Sequence, residues 1–191
     1  MKRKDFLRLS GSLALGTVTT APALLVSGCE PAPPVPREKV TENDIALLND
    51  IADAILPGKG EVPGAKAAKT GEYMFMMYSD MLKEDDKQLM LTGLNRIDAD
   101  AFELFKSDFS NLEKKKKEFL LKNYHNETFA YGKQRAAGLP ADDHFYGLFR
   151  SLTLSGYFSS EIGSTKARIY NPVPGGFSGC IPIKPGQKPL G

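Results

Sequence analysis

Residues 41–58 read TENDIALLNDIADAILPG, and the spacing within them decides the fold class. Ile45, Leu48, Ile51, Ala52 and Ile55 recur at three- and four-residue intervals, which places them on one face of an α-helix. Thr41 offers an oxygen to the first free amides, and Asp44 stands near the acid position of a capping box. Pro57-Gly58 stops the helix. The same period recurs downstream. A second helix is expected over Ala65–Leu82, with Met74, Phe75, Met77, Tyr78 and Met81 making it apolar around much of its surface. A third is expected over Glu84–Phe109, turning Leu89, Leu94, Ile97, Ala101, Leu104 and Phe105 to a core. Ser110 is the expected cap of a shorter helix through Lys114 to Asn123, and helical pattern resumes over Glu127–Ala137 until Gly138-Leu139-Pro140. Asp142 or Asp143 can cap a last long helix carrying Phe145, Leu148, Phe149, Leu152 and Phe158. With no alternating stretch of useful length and no internal repeat, the expectation is all-α: a compact bundle of about five helices.

Both ends of the chain depart from this pattern. At the N-terminus, Lys2, Arg3, Lys4 and Arg8 precede a small and apolar run from Leu13 to Val26, closed by Ser27-Gly28-Cys29. A basic start, a short apolar stretch and small residues at its end describe an export signal over residues 1–28. The run is too short, and too interrupted by Gly16, Thr17, Thr19, Thr20 and Pro22, to span a bilayer. Cys29 after Ser27-Gly28 resembles a bacterial lipobox, at which the signal is cut and the cysteine lipidated. Arg3, Lys4, Phe6 and Leu7 resemble a twin-arginine export motif, with Lys4 where the second arginine belongs. Pro31, Pro33, Pro34 and Pro36 make residues 29–40 a semi-rigid tether between the lipid and the domain that fills 41–191. From about residue 164 the chain becomes an irregular arm. Prolines and glycines after Asn171 exclude helix or central strand, yet Ile169, Tyr170, Val173, Phe177, Ile181 and Ile183 suit it to packing on something.

Composition narrows the functional classes. Removing residues 1–28 leaves roughly 160 residues, the size of one domain. It also removes Lys2, Arg3, Lys4 and Arg8 against Asp5, which turns the formal +2 into a mature charge near minus one. No footprint for nucleic acid remains. With Cys29 assigned to lipid, Cys180 is an odd cysteine in an oxidising compartment. A free thiol, an intermolecular disulfide and a quiet buried thiol all stay open.

Catalytic signatures are sparse. His125 and His144 are the only histidines, and their spacing suits surface or capping roles better than a metal site. No nucleophile elbow, zinc-protease helix, phosphate loop or dinucleotide fingerprint is present. A dyad of Cys180 with either histidine is the remaining enzymatic reading, with nothing local to orient it. Lys114–Lys117 reads as a solvated helical face, with anionic lipid head groups as the sharper alternative. Met74, Met76, Met77 and Met81 read as adaptable core filling, as do Tyr73, Tyr78 and Tyr157, for which the border of a quinone or sugar site is the alternative.

The run Phe149–Gly163 (FRSLTLSGYFSSEIG), then Ile169–Gly175 (IYNPVPG), Gly179-Cys180 and Gly186–Lys188, resembles the gluconate 2-dehydrogenase subunit 3 family; so do Ile51–Pro57 and Pro63–Ala65 upstream. The likeness covers nearly all of the mature chain, with a nonspecific middle from Tyr73 to Asp142. It implies a small, noncatalytic subunit of a membrane-associated sugar or alcohol dehydrogenase, with no cofactor of its own. In such complexes a large flavoprotein holds FAD and lacks an export signal, a cytochrome c subunit often takes the electrons, and the small subunit supports folding and export of the large one. The location implied is the periplasm, with membrane attachment through Cys29. Alone, Arg150, Thr153, Tyr157, Ser160 and Glu161 read as surface or capping groups in an apolar helix. With the family in view they become the expected partner contact, together with Gly156, where backbones can approach closely, and with Tyr170, Pro172, Pro174, Gly175 and Cys180 of the arm. A stand-alone tethered lipoprotein acting as a binding module is the competing reading.

Overall fold

A turn of 3-10 helix over Glu42–Asp44 runs directly into the first α-helix, α1, Ile45–Ile55. Asp44 reaches back to accept hydrogen bonds from the Thr41 amide at 2.8 Å and the Thr41 hydroxyl at 3.0 Å, so the capping acid foreseen at Asp44 holds the entry turn. The computed structural model describes residues 32–139, 143–173, 175, 176, 180, 182 and 184–189. Arg3, Lys4, Phe6, Leu7, Cys29 and Pro174 lie outside the described residues, so the export, lipidation and Pro174 contact expectations have no structural counterpart here.

Four more helices complete the bundle: α2, Thr70–Asp80; α3, Glu84–Phe105; α4, Lys114–Ala136; and α5, Phe145–Ser159. A short 3-10 turn, Phe109–Asn111, joins α3 to α4, and a π-helical turn, Gly163–Ala167, comes after α5. No strand occurs among the described residues, so the all-α bundle of five helices is as the periodicity foresaw.

Three boundaries differ from expectation. The second helix begins at Thr70 rather than Ala65, because Ala65–Lys69 forms turns in which the Thr70 amide and hydroxyl both return to the Ala65 carbonyl. The third stops at Phe105, where Lys106 takes a left-handed conformation (φ 53°) at the helix end. The two pieces expected around residues 114–137 are one continuous helix, α4, capped from Glu113 instead of Ser110.

α5 is the hub of the bundle and touches each of the other four helices. Its buried residues Phe145, Tyr146, Phe149, Leu152, Thr153, Gly156 and Tyr157 follow helical spacing over three turns. Around it close Leu48, Ile51, Met74, Met90, Leu94, Ile97 and Leu120, each essentially sealed from solvent. Gly71 sets the crossing of α1 and α2: a side-chain carbon there would lie 2.7 Å from the Ile45 carbonyl oxygen and 2.7 Å from the Asn49 amide. Asn49 exploits that closeness, accepting from the Gly71 amide at 2.8 Å and donating to Glu72 at 3.0 Å.

The expected tether does not reach residue 40 as a free segment. Arg37 is fixed to the bundle by ion pairs to Asp44 and, at 2.6 Å, to Asp98, and its backbone exchanges two hydrogen bonds with the Asn95 side chain. Val40 is buried beside it. Burial alone would raise the Asp44 carboxyl, but the Thr41 amide and the Arg37 guanidinium hold it below the ordinary carboxylate range. A carboxyl depressed on folding contributes stability that is present above its unfolded value of about 3.9 and is lost as pH falls through the lower, folded value. Asp44→Asn is therefore expected to cost about 1–3 kcal/mol in urea unfolding at pH 7. The difference from the parent should shrink below about pH 3, where the parent carboxyl also takes a proton. A difference independent of pH would contradict this clamp.

Candidate functional site

Two groups of polar residues have the composition of a reactive site, and each is tied into the fold. The first surrounds His144, whose ring is almost sealed between Phe145, stacked at 4.4 Å between centroids, and Tyr131. His144 Nδ1 accepts from the Tyr146 amide at 3.2 Å and so caps the start of α5. That bond requires the proton on Nε2, which faces Glu127 at 3.0 Å. Thr128 Oγ1 lies 3.0 Å from His144 Nδ1, giving the outline of a hydroxyl–imidazole–carboxylate triad. The outline does not function as one. The hydroxyl donates to the Tyr124 carbonyl at 2.8 Å, and Nδ1, the nitrogen that would take its proton, is engaged by the helix amide. The expected cap, Asp143, instead pairs with Arg135 at 2.8 Å, while Asp142 lies outside the described residues.

Arg96 continues this network. Its guanidinium sits 2.9 Å from Glu127 and 5.4 Å from the centre of the Tyr124 ring. Tyr124 is buried and donates its hydroxyl to Asp100 at 2.7 Å; burial, and then that carboxylate, push the phenol well above its ordinary range. A donor held this way is a structural strut between α3 and α4, not an acid at neutral pH.

The second group lies where the end of α1 meets the start of α4. Asp50 accepts from Lys66 at 2.6 Å, and although burial would raise it, Lys66, Ser110 and Lys117 together hold it low. An open cleft beside it is lined by Asp53, Pro57, Lys114, Lys117 and Glu118. Among the described residues no three His, Cys, Asp or Glu side chains converge as a metal would require. His125 is exposed and rests edge-on against Tyr146.

The residues expected at a partner surface divide sharply. Thr153, Gly156 and Tyr157 face the interior. The Thr153 hydroxyl donates to the Phe149 carbonyl at 2.7 Å one turn back, and Tyr157 donates across to the Pro63 carbonyl at 2.7 Å. At Gly156 a side-chain carbon would sit 2.5 Å from the Tyr73 ring, so the close approach it permits is within this chain. These three are corrected from surface to core. Arg150 and Glu161 are exposed, and Ser160 is half-buried, capping the turn after α5. Tyr170, Pro172, Gly175 and Cys180 are all exposed, the last as a free thiol.

Among the described residues, the arm that carries them has few anchoring contacts. Arg168 stacks over Phe158 at 4.1 Å where the arm leaves the bundle, and the Ile169 amide donates to the Pro189 carbonyl at 2.9 Å. Beyond that, Ile169, Tyr170 and Val173 present 42 %, 60 % and 79 % of their surface to solvent. Among the described residues of the arm, this apolar run with restricted backbone is a surface suited to recognition and not used internally. The sequence marked it through its interleaved apolar residues; it could not mark Thr153 and Tyr157 as internal, because their partners are set by tertiary contact.

The capping role assigned to His144 is testable through stability. His144→Ala is expected to lower unfolding free energy by about 1–2 kcal/mol, and His144→Asn, a good cap, to recover part of that loss. Equal losses in the two variants would mean that the imidazole matters for its packing and not for the cap.

Among known proteins, the family model for gluconate 2-dehydrogenase subunit 3 matches residues 42–175, from the first turn of the bundle into the arm. No curated protein and no solved structure matches the chain.

Proposed function

The chain belongs to the gluconate 2-dehydrogenase subunit 3 family, and from that premise we propose that it is the noncatalytic small subunit of a flavin-dependent dehydrogenase, docking a large FAD-bearing subunit through its arm. The family name itself makes it a subunit of a multi-subunit gluconate dehydrogenase. The observation that carries the finer reading is the pairing of an internally satisfied bundle with an uncovered arm. The imidazole–hydroxyl–carboxylate cluster around His144 is occupied by helix capping, whereas Ile169, Tyr170 and Val173 are exposed.

In this reading the large subunit oxidises a sugar, sugar acid or alcohol, and a cytochrome c subunit is its natural electron acceptor. The small subunit contributes a folded surface on which the flavoprotein matures, and its leader carries the assembled pair across the membrane. Twin-arginine-type export suits this division, because that route moves proteins already folded around a cofactor. After cleavage, lipid on Cys29 would hold the complex at the membrane on the periplasmic side. Arg150 and Glu161 remain exposed on and just after α5, polar groups of the kind that edge an apolar docking centre.

The test is co-expression with a flavoprotein of the dehydrogenase type whose gene neighbours this one. Both chains together should give dye-linked dehydrogenase activity in the periplasmic fraction, and the flavoprotein alone should stay in the cytoplasm. A Tyr170→Ser/Val173→Ser variant should keep the helical circular dichroism of the parent and lose about tenfold or more in co-purified flavoprotein. Normal export of the flavoprotein without this chain would overturn the proposal. Undiminished capture by the double variant would move the docking surface off the arm.

A further inference from the structure

The outward face of α4 is not explained by the bundle or by the arm. The helix carries seven basic residues against two acidic ones, and Lys114–Lys117 fill its first turn. That is the end at which a helix dipole disfavours positive charge, so the lysines oppose local stability. Only Leu120, Leu121 and Tyr124 of α4 are buried. At about 100° per residue, Lys115, Phe119, Lys122, Phe129 and Lys133 lie in a single stripe on the opposite side. Phe119 is 52 % exposed and Phe129 61 %, and Lys133 Nζ stands 4.7 Å over the Phe129 ring. Lys115, Lys122 and Lys133 enter no ion pair among the described residues; within α4 only Lys114 and Glu118 approach, at 4.0 Å. The stripe is about 27 Å long.

We propose that this face of α4 seats on an anionic lipid surface, with the two phenyl rings entering the headgroup layer and the three lysines meeting phosphates. The choice of lipid over protein rests on the stripe itself. Lysine is depleted from protein–protein interfaces, where arginine supplies the geometric specificity, while clustered lysines draw a helix to anionic headgroups and exposed phenylalanines can enter the headgroup layer.

An acyl anchor on Cys29 together with a basic patch is the combination that gives stable attachment. Only this last step rests on the lipid anchor proposed above; the stripe does not.

Vesicle flotation of the full chain tests the proposal, with phosphatidylcholine alone and with added phosphatidylglycerol. The parent is compared with Lys115→Gln/Lys122→Gln/Lys133→Gln and with Phe119→Ser/Phe129→Ser. All share one N-terminus, so the difference isolates α4, and all five side chains are exposed, so circular dichroism should be unchanged. At about fivefold per lysine, the triple variant should bind phosphatidylglycerol vesicles about 100-fold more weakly than the parent. The gap should close in high salt and be absent on phosphatidylcholine. The phenylalanine variant should bind more weakly on both. Equal binding of parent and triple variant to phosphatidylglycerol would overturn the proposal. So would undiminished vesicle binding combined with lost flavoprotein capture, which would assign the face to the protein partner. No flavoprotein is present in the vesicle assay, so its outcome and that of the assembly test are separable.

Discussion

The bundle depends on α5 being usable by four neighbours at once. Phe145 meets Tyr124 of α4 edge-on, while Gly156 lets Tyr73 of α2 approach within contact. Gly93 allows the same on α3, where a side-chain carbon would meet Phe145 and Phe149 at 2.7–2.8 Å. Such close approaches leave no slack, and overpacking at any of them would cost on the order of 1–3 kcal/mol. Where α5 faces the core its hydroxyls must find partners inside, as those of Thr153 and Tyr157 do. The core-facing side of this helix has little left to offer another protein, which leaves its exposed side, its far end and the arm beyond it.

That constraint organises the chemistry of the remaining surface. His144 caps α5, Arg96 and Tyr124 tie α3 to α4, and Arg37 fastens the start of the domain to α3. Each of these three clusters is accounted for by a helix end or an attachment to α3. Two features are not: the apolar arm after Arg168, and the lysine–phenylalanine face of α4. An accessory subunit that joins a flavoprotein and lies against a membrane needs two such outward surfaces, one for each neighbour.

The fold class is legible from α1 alone, since five apolar residues at helical spacing between a cap and a Pro-Gly stop admit little else. The apparent division of α4 into two pieces has a physical cause: nothing after Tyr124 is fully buried, so the core-facing period that marks a helix fades halfway along. The tether ends sooner than its sequence suggests, because proline content describes the chain up to Pro36 and says nothing of two carboxylates waiting on the bundle for Arg37. Thr153 and Tyr157 show the sharper limit. A hydroxyl in an apolar helix is the same letter whether it faces a partner or bonds a carbonyl of its own chain, and for Tyr157 that carbonyl, of Pro63, is supplied by the loop before α2. The arm, by contrast, is readable, since proline and glycine exclude regular structure while isoleucine, tyrosine and valine exclude simple solvation.

Hydrogen–deuterium exchange on the chain alone and in complex with its flavoprotein tests the central claim most directly. Residues 160–176 should gain protection on assembly, while the interior of α5 over 149–157, already slow to exchange, should change little. Protection gained chiefly along α4, or none gained at the arm, would contradict the assignment of the arm as the docking surface.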